Sequence, residues 1–63
     1  MATITILDKK LGSRTTMVGD KTAIAIQVYS LRINIWNTAN NMIKVATKWD
    51  YENDEYEIHY VKE

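Results

Sequence analysis

Carboxylates are the side chains whose number and spacing in this chain could do chemistry, and five of them fall within eight residues: Asp50, Glu52, Asp54, Glu55 and Glu57. Paired carboxylates suggest general acid–base catalysis. That chemistry needs a cleft that desolvates one carboxyl group and separates the two pKa values. A chain of 63 residues that reads mainly as sheet offers little cleft. We therefore interpret the carboxylates as an exposed acidic face rather than a catalytic pair.

The remaining candidates for catalysis or metal binding are few. The chain has no cysteine and a single histidine, His59, so thiol nucleophiles and thiolate metal sites are excluded. His59 shares a strand face with Glu55 and Glu57, and a carboxylate there could fix its tautomer. One imidazole with oxygen donors is a poor zinc site. The two glycines are isolated and form no phosphate-binding loop. We expect no enzymatic activity, no cofactor and no metal.

The carboxylates alternate with large apolar side chains, and this alternation predicts a β-hairpin over residues 49–60. An even loop puts the rings on one face and the carboxylates on the other, whereas an odd loop would expose half of the apolar set. The ring face would pair Tyr51 with Tyr56, Trp49 with Ile58 and Thr47 with Tyr60. The acidic face would pair Glu52 with Glu55, Asp50 with Glu57, Lys48 with His59 and Ala46 with Val61. Two of these pairs bring like charges together, so we expect a basic group nearby.

The first two thirds of the chain also show strand-like alternation. We predict a strand from Thr3 to about Lys9, a turn at Leu11-Gly12, and a second strand over 14–18. Gly19-Asp20 would be a two-residue hairpin turn leading into a third strand from Lys21. Along that strand the apolar face switches parity near Tyr29-Ser30, from Ile24, Ile26 and Val28 to Leu31, Ile33 and Ile35. This switch predicts a bulge or a sharp bend.

Residues 38–49 fit two periods after the polar loop that begins at Asn37. Ala39, Met42, Ile43, Ala46 and Trp49 fit a helical stripe with Asn37 as its N-cap, whereas Ile43, Val45, Thr47 and Trp49 fit a strand. We favour the strand because it continues into the alternation of the hairpin. The predicted fold is a single all-β domain over residues 1–63, with five to six short antiparallel strands in a small barrel or a strongly bent sheet. The alternative is a small α+β domain with a helix at about 38–49.

Charge is divided between the two halves of a chain that is neutral overall. Residues 1–36 carry five basic groups against two acidic ones, a balance of +3, and residues 37–63 carry three against six, a balance of −3. A chain with such a charge distribution can pair with itself, and a domain this small gains stability by doing so, so we expect a homodimer. No signal peptide or membrane-spanning stretch is visible, and the absence of cysteine fits a reducing compartment. We expect a cytoplasmic protein without membrane contact.

Binding to another protein is the function that these residues favour. An acidic hairpin backed by rings suits a basic groove on a partner protein, where charge steers the encounter and a ring anchors it. Carboxylates on a strand repeat at about 6.8 Å per two residues, close to the phosphate spacing of a nucleic-acid strand, so such a hairpin could act as an inhibitor. The predicted partner-binding residues are Asp50, Tyr51, Glu52, Asn53, Asp54, Glu55, Tyr56 and Glu57.

Two other functions stay open. A small β-barrel could bind single-stranded DNA or RNA through a basic cluster with an adjacent ring, formed by Lys9, Lys10, Arg14, Lys21 and Trp36. Most of the rings lie among the carboxylates, however, and an acidic surface opposes a nucleic-acid backbone, so we expect nucleic acid less than protein. The third function is that of a structural subunit in a homo-oligomer.

Overall fold

The computed structural model of the chain describes residues 1–31 and 33–63. Its elements, in chain order, are β1 (Ala2–Asp8), β2 (Ser13–Gly19), α1 (Lys21–Ser30), α2 (Trp36–Val45), β3 (Lys48–Glu52) and β4 (Tyr56–Lys62). The four strands form one antiparallel sheet in the order β2-β1-β4-β3. The predicted all-β barrel of five to six strands is therefore wrong. The fold is a small α+β domain with an open sheet, and Arg32, one of the basic groups of the N-terminal half, lies outside the described residues.

The core lies between the two helices and one face of the sheet. Strand side chains alternate between faces, so β1 contributes Ile4 and Ile6 and β4 contributes Ile58 and Tyr60 to the same side. The helices close this side with four fully buried residues: Ile24, Val28, Ala39 and Ile43. The core is thus bounded by the two central strands on one side and by the helices on the other.

Helix α1 replaces the predicted Gly19-Asp20 turn and the third strand. Asp20 caps the helix, because its Oδ1 accepts a hydrogen bond from the backbone N–H of Ala23 at 2.8 Å. Ile24 and Val28, one helical turn apart, enter the core, whereas Ile26 points to solvent. The switch of parity near Tyr29-Ser30 is therefore neither a bulge nor a bend in a strand. It marks the end of the helix at Ser30.

Helix α2 replaces the strand that we favoured over residues 38–49. It spans Trp36–Val45, and its buried residues Ala39 and Ile43 belong to the helical stripe of the alternative prediction. Its N-cap is Ile35, which makes no side-chain capping hydrogen bond, rather than Asn37. Strand structure begins only at Lys48, so the predicted pairs of Ala46 and Thr47 are not part of the β3–β4 ladder.

The first hairpin follows its sequence pattern closely. Strands β1 and β2 pair from Ala2 opposite Gly19 to Asp8 opposite Ser13. Asp8 organises the turn, because its Oδ1 accepts hydrogen bonds from the backbone N–H groups of Lys10 and Leu11 at 3.0 and 3.1 Å. Gly12, in the predicted turn, has a φ of 69°, a conformation that glycine adopts without the steric penalty of a side chain.

No helix formed by the described residues lies on the other face of the sheet, which we call the outer face. Its side chains follow from the strand register: Arg14, Thr16 and Val18 on β2; Thr3, Thr5 and Leu7 on β1; Glu57, His59 and Val61 on β4; Lys48, Asp50 and Glu52 on β3. The carboxylates of this face gather at the β3 side of the sheet. No helix among the described residues is long and apolar enough to cross a membrane.

Candidate functional site: the acidic β3–β4 hairpin

The predicted C-terminal hairpin is present as β3 and β4, and β3 forms an edge of the sheet. The parity of its register is confirmed, because the rings lie on the core side and Asp50, Glu52 and Glu57 lie on the outer face. The predicted partners are wrong by two residues. Trp49 pairs with Tyr60 rather than Ile58, Tyr51 with Ile58 rather than Tyr56, and Lys48 with Val61 rather than His59.

Asn53 explains the shift of register. Its Oδ1 accepts hydrogen bonds from the backbone N–H groups of Glu55 and Tyr56 at 2.8 and 2.7 Å, so Asn53 opens the turn instead of lying inside it. Its own N–H donates to the carbonyl of Tyr56 at 2.9 Å, and Asp54 and Glu55 form the tip. The tip of the hairpin is therefore acidic and is held in place by a side chain.

The shifted register places Asp50 opposite His59 instead of Glu57. Nδ1 of His59 lies 2.8 Å from Oδ1 of Asp50, and its Nε2 lies 2.8 Å from Oε1 of Glu57. A protonated imidazole donates a hydrogen bond from each nitrogen, whereas a neutral one has only one N–H. Because each nitrogen faces a carboxylate, this arrangement favours the charged form of His59.

The pKa of His59 is accordingly raised above its ordinary 6.5, chiefly by the hydrogen bond to Asp50 and then by that to Glu57. The group remains exposed, with 51% of its side-chain surface accessible, so salt screens these contacts in part. Thr5 lies opposite His59 on β1. Carboxylates occupy both ring nitrogens of His59. The imidazole is therefore placed to stay protonated between Asp50 and Glu57, and not to act as a base that removes the hydroxyl proton of Thr5.

The basic group expected beside the like-charge pair is Lys9. Its Nζ lies 2.6 Å from Oε2 of Glu52, and its backbone N–H donates to the carbonyl of Glu55 at 2.9 Å. Glu52 lies directly opposite Glu57 in the ladder, so Lys9 offsets that repulsion. The hydrogen bond from Lys9, and then its charge, lower the pKa of Glu52 below the usual value.

The two carboxylates at the tip differ from those on the strands. Glu55 accepts a hydrogen bond from the side-chain amide of Asn34 at 3.2 Å, which connects the tip to the loop between the helices. Asp54 is exposed, and no ion pair with it occurs among residues 1–31 and 33–63. Asp54 and Glu55 are therefore the negative charges that this part of the chain neutralises least.

The two tyrosines of the predicted contact surface, Tyr51 and Tyr56, pack against the core. Both are half-buried, and the ring centroid of Trp49 lies 5.6 Å from that of Tyr51. The phenol of Tyr51 accepts a hydrogen bond from the amide of Asn53 at 3.1 Å. Burial raises the pKa of Tyr56, and the charges of Asp8 and Glu55 raise it further. Both rings therefore lie on the core side of the hairpin, opposite the face that carries Asp50, Glu52 and Glu57.

The structure disperses the residues of the alternative nucleic-acid surface. Lys9 is bound to Glu52, Lys10 is exposed in the β1–β2 turn, and Arg14 lies on the outer face of β2. Lys21 and Trp36 instead line a cleft between α1 and α2, at different ends of it. The barrel of that alternative is wrong because the sheet is open, and its five residues form no single patch.

The cleft between the helices is the feature that sequence reasoning missed. It also contains Tyr29 and Lys44, which lie at helical spacing from Lys21 and Trp36. A signal in the sequence could have indicated it: Trp36, Asn40 and Lys44 are four residues apart, and this spacing places their side chains on one face of a helix. Among the described residues as a whole, no group of three or more histidine, cysteine, aspartate or glutamate side chains is arranged to hold a metal ion.

Comparison of the chain with models of protein families, with curated protein sequences and with solved structures finds no match. The proposals below therefore depend on the geometry of the described residues alone.

Proposed function

We propose that this protein is a non-enzymatic binding protein that places its acidic β3–β4 hairpin in a basic groove of another protein. The observation that carries the proposal is the array of five carboxylates on the outer face and the tip of one edge hairpin. Occupation of such a groove would exclude its normal ligand, so the protein would act as an inhibitor.

The array is ordered before any partner binds. Lys9 holds Glu52, His59 holds both Asp50 and Glu57, and Asn53 fixes the turn. Binding by a surface whose side chains are already immobilised loses less conformational entropy than binding by a mobile one. The same contacts also neutralise part of the charge. The net attraction for a basic partner therefore depends most on the tip.

A double variant of the tip, Asp54→Asn with Glu55→Gln, tests this proposal. Neither side chain belongs to the Lys9 or His59 contacts, so the fold should be kept, as circular dichroism would show. Immobilised wild-type protein should capture a basic protein from a lysate of the source organism, and the double variant should lose at least about tenfold in affinity for it, since two charged contacts at an interface are removed.

The matched control is Glu63→Gln with Thr38→Lys. It changes the net charge by the same +2 at exposed positions away from the tip. This control should capture the same protein as the wild type. Equal capture by the tip variant, or equal loss by the control, would contradict the assignment of the tip as the contact surface.

Self-association is a second candidate function, favoured by the exposed apolar residues of the outer face. Val18 and Val61 flank Thr3 across three strands, and they are 61% and 45% exposed. An uncovered sheet face with such residues is a surface on which a second copy can pack. The mass of the protein in solution tests this candidate, because a dimer has twice the mass of the chain.

A further inference from the structure

The helix layer contains a cleft that the acidic hairpin does not use. It lies between α1 and α2 and has a volume of about 370 Å³. This volume is at the low end of the range of about 300–1,000 Å³ that small-molecule sites occupy. A ligand of this size would be small, with one ring system or a short alkyl chain.

The cleft has an apolar end near the loop that joins the helices. Tyr29 and Trp36 meet there edge to face, with their ring centroids 4.8 Å apart. Ile26, Tyr29 and Trp36 are 64%, 58% and 37% exposed, although each is a large apolar side chain. Their rings and alkyl groups are grouped in one concave site, and such an exposed apolar group marks a binding surface.

The opposite end of the cleft is cationic. Lys21 precedes Tyr29 by eight residues on α1, and Lys44 follows Trp36 by eight residues on α2, so each lysine lies about 12 Å along its helix from the aromatic pair. Both lysines line the same cleft as the two rings. The helices therefore run side by side in opposite directions, with both ammonium groups at one end.

The charge of this layer has one sign. Residues 21–47 contain no aspartate or glutamate. The nearest carboxylate along the chain before α1, Asp20, is directed at the backbone N–H of Ala23 as the helix cap. A ligand that fits the cleft should therefore be anionic at one end and apolar at the other.

We propose that the cleft between α1 and α2 binds a small amphipathic carboxylate, with its apolar body against Tyr29, Trp36 and Ile26 and its carboxylate between Lys21 and Lys44. This site lies on the helix side of the sheet, and its two lysines lie at the end of the cleft away from the loop that the acidic tip contacts. A single strand of nucleic acid is the less favoured occupant, because it needs a groove that extends over several nucleotides and more cations than these two lysines.

Decanoate, below the concentration at which it forms micelles, is a suitable probe, and decanol is its uncharged counterpart. The chain has two tryptophans, so the indole N–H signals of Trp36 and Trp49 in an NMR titration provide a site signal and an internal reference. Decanoate should shift the Trp36 signal saturably and leave that of Trp49, on the core side of β3, in place. Decanol should bind at least about threefold more weakly.

Variants separate the cationic end from general charge effects. Lys21→Gln with Lys44→Gln should raise the Kd for decanoate by roughly 3- to 30-fold, as expected for two exposed ion pairs. Lys10→Gln with Lys62→Gln makes the same change of net charge outside the cleft and should leave the Kd unchanged. Ile26→Glu, at an exposed position, should abolish binding while the fold is kept.

Several results would overturn the proposal. These are equal affinity for decanol and decanoate, a Trp36 signal that does not saturate, and equal weakening by the two double lysine variants. Tighter binding of a single-stranded oligonucleotide than of decanoate at the same indole would replace the small carboxylate by nucleic acid as the occupant.

Discussion

At the scale of single residues, His59 carries the most specific chemistry in the molecule. It is the one histidine of the chain, and each of its ring nitrogens lies 2.8 Å from a carboxylate. A histidine whose pKa is raised by folding stabilises the fold while it is protonated. Its contribution is therefore complete below the ordinary value of 6.5 and is lost as the pH rises through the higher pKa of the folded state.

An NMR titration of the imidazole tests this prediction. Its signals need no sequence-specific assignment, because the protein has only one such side chain. The midpoint should lie above 6.5 in the wild type. Asp50→Asn should lower it, and Glu57→Gln should lower it by a smaller amount, in the order of the two contributions. Asp54→Asn removes a carboxylate at the tip and should leave the midpoint in place. A wild-type midpoint at or below 6.5 would contradict the two-acid geometry.

The same titration bears on the proposed binding function. Above the pKa of His59 the imidazole loses its charge, and Asp50 and Glu57 are no longer offset by it. A basic partner should then bind more tightly as the pH rises.

At the scale of the elements, the two glycines give a matched pair for the first hairpin. Gly12 has a φ of 69°, in the region where a side chain is strained, and Gly19 has no positive φ. Gly12→Ala should therefore lower the free energy of unfolding by about 1–2 kcal/mol. Gly19→Ala adds a Cβ at an ordinary contact distance of 3.8 Å from Ala23 and should be neutral or stabilising by up to about 1 kcal/mol.

Denaturant unfolding followed by circular dichroism measures both changes. Equal effects of the two substitutions would show that the backbone conformation of Gly12 is not what the turn requires. A large loss for Gly19→Ala would show that the end of β2 packs more tightly against α1 than the distance to Ala23 indicates.

The hairpins were predictable from the sequence because local signals agree there. In β1–β2 and in β3–β4, apolar alternation, strand-forming residues and turn residues all indicate the same structure. The error of two residues in the β3–β4 register came from Asn53. Its side chain favours the opening position of a turn, and we placed it inside the turn. The predicted division of side chains between the two faces of the hairpin was still correct, because it depends on the apolar pattern alone.

The helices were mispredicted because their apolar residues satisfy two periods. Over residues 23–28 alanine, isoleucine and valine alternate as in a strand, yet Ile24 and Val28 also lie one helical turn apart. Asp20 was the signal that could have decided between helix and strand, since an aspartate before such a segment is a favourable N-cap.

The contact of Lys9 with Glu52 could not be predicted from local sequence. It joins residues 43 positions apart, and only the order of strands in the sheet brings them together.

At the scale of the whole molecule, the α+β layering separates charge and separates the proposed sites. The sheet carries the acidic hairpin on its outer face and edge, and the helix layer carries the cationic cleft on the other side of the core. This division differs from the asymmetry along the sequence, because Lys9, Lys10 and Arg14 belong to the β1–β2 hairpin of the sheet and Lys44 belongs to α2. One small domain can in this way present two surfaces of opposite sign to different partners.

The outer face also carries opposite charges at its two edges. Arg14 lies on it at the β2 edge and Glu52 at the β3 edge, in the same row of the ladder that runs through Leu7 and Glu57. A twofold axis parallel to the strands would set Arg14 of each copy against Glu52 of the other, and Val18 and Val61 would become buried. Such an isologous contact closes on itself as a dimer.

Sedimentation velocity at micromolar concentration tests this arrangement: if the outer face is a dimer interface, the measured mass should be twice that of the chain. Val18→Lys places a charge on the outer face and should give the monomer mass, because each dimer would bury two unpaired ammonium groups. Val45→Lys makes the same substitution at an exposed position of α2 and should leave the dimer intact. If the wild type sediments as a monomer, the outer face is free, and its carboxylates are available to a partner of another kind. If both variants dissociate the dimer equally, association depends on net charge and not on packing of the sheet.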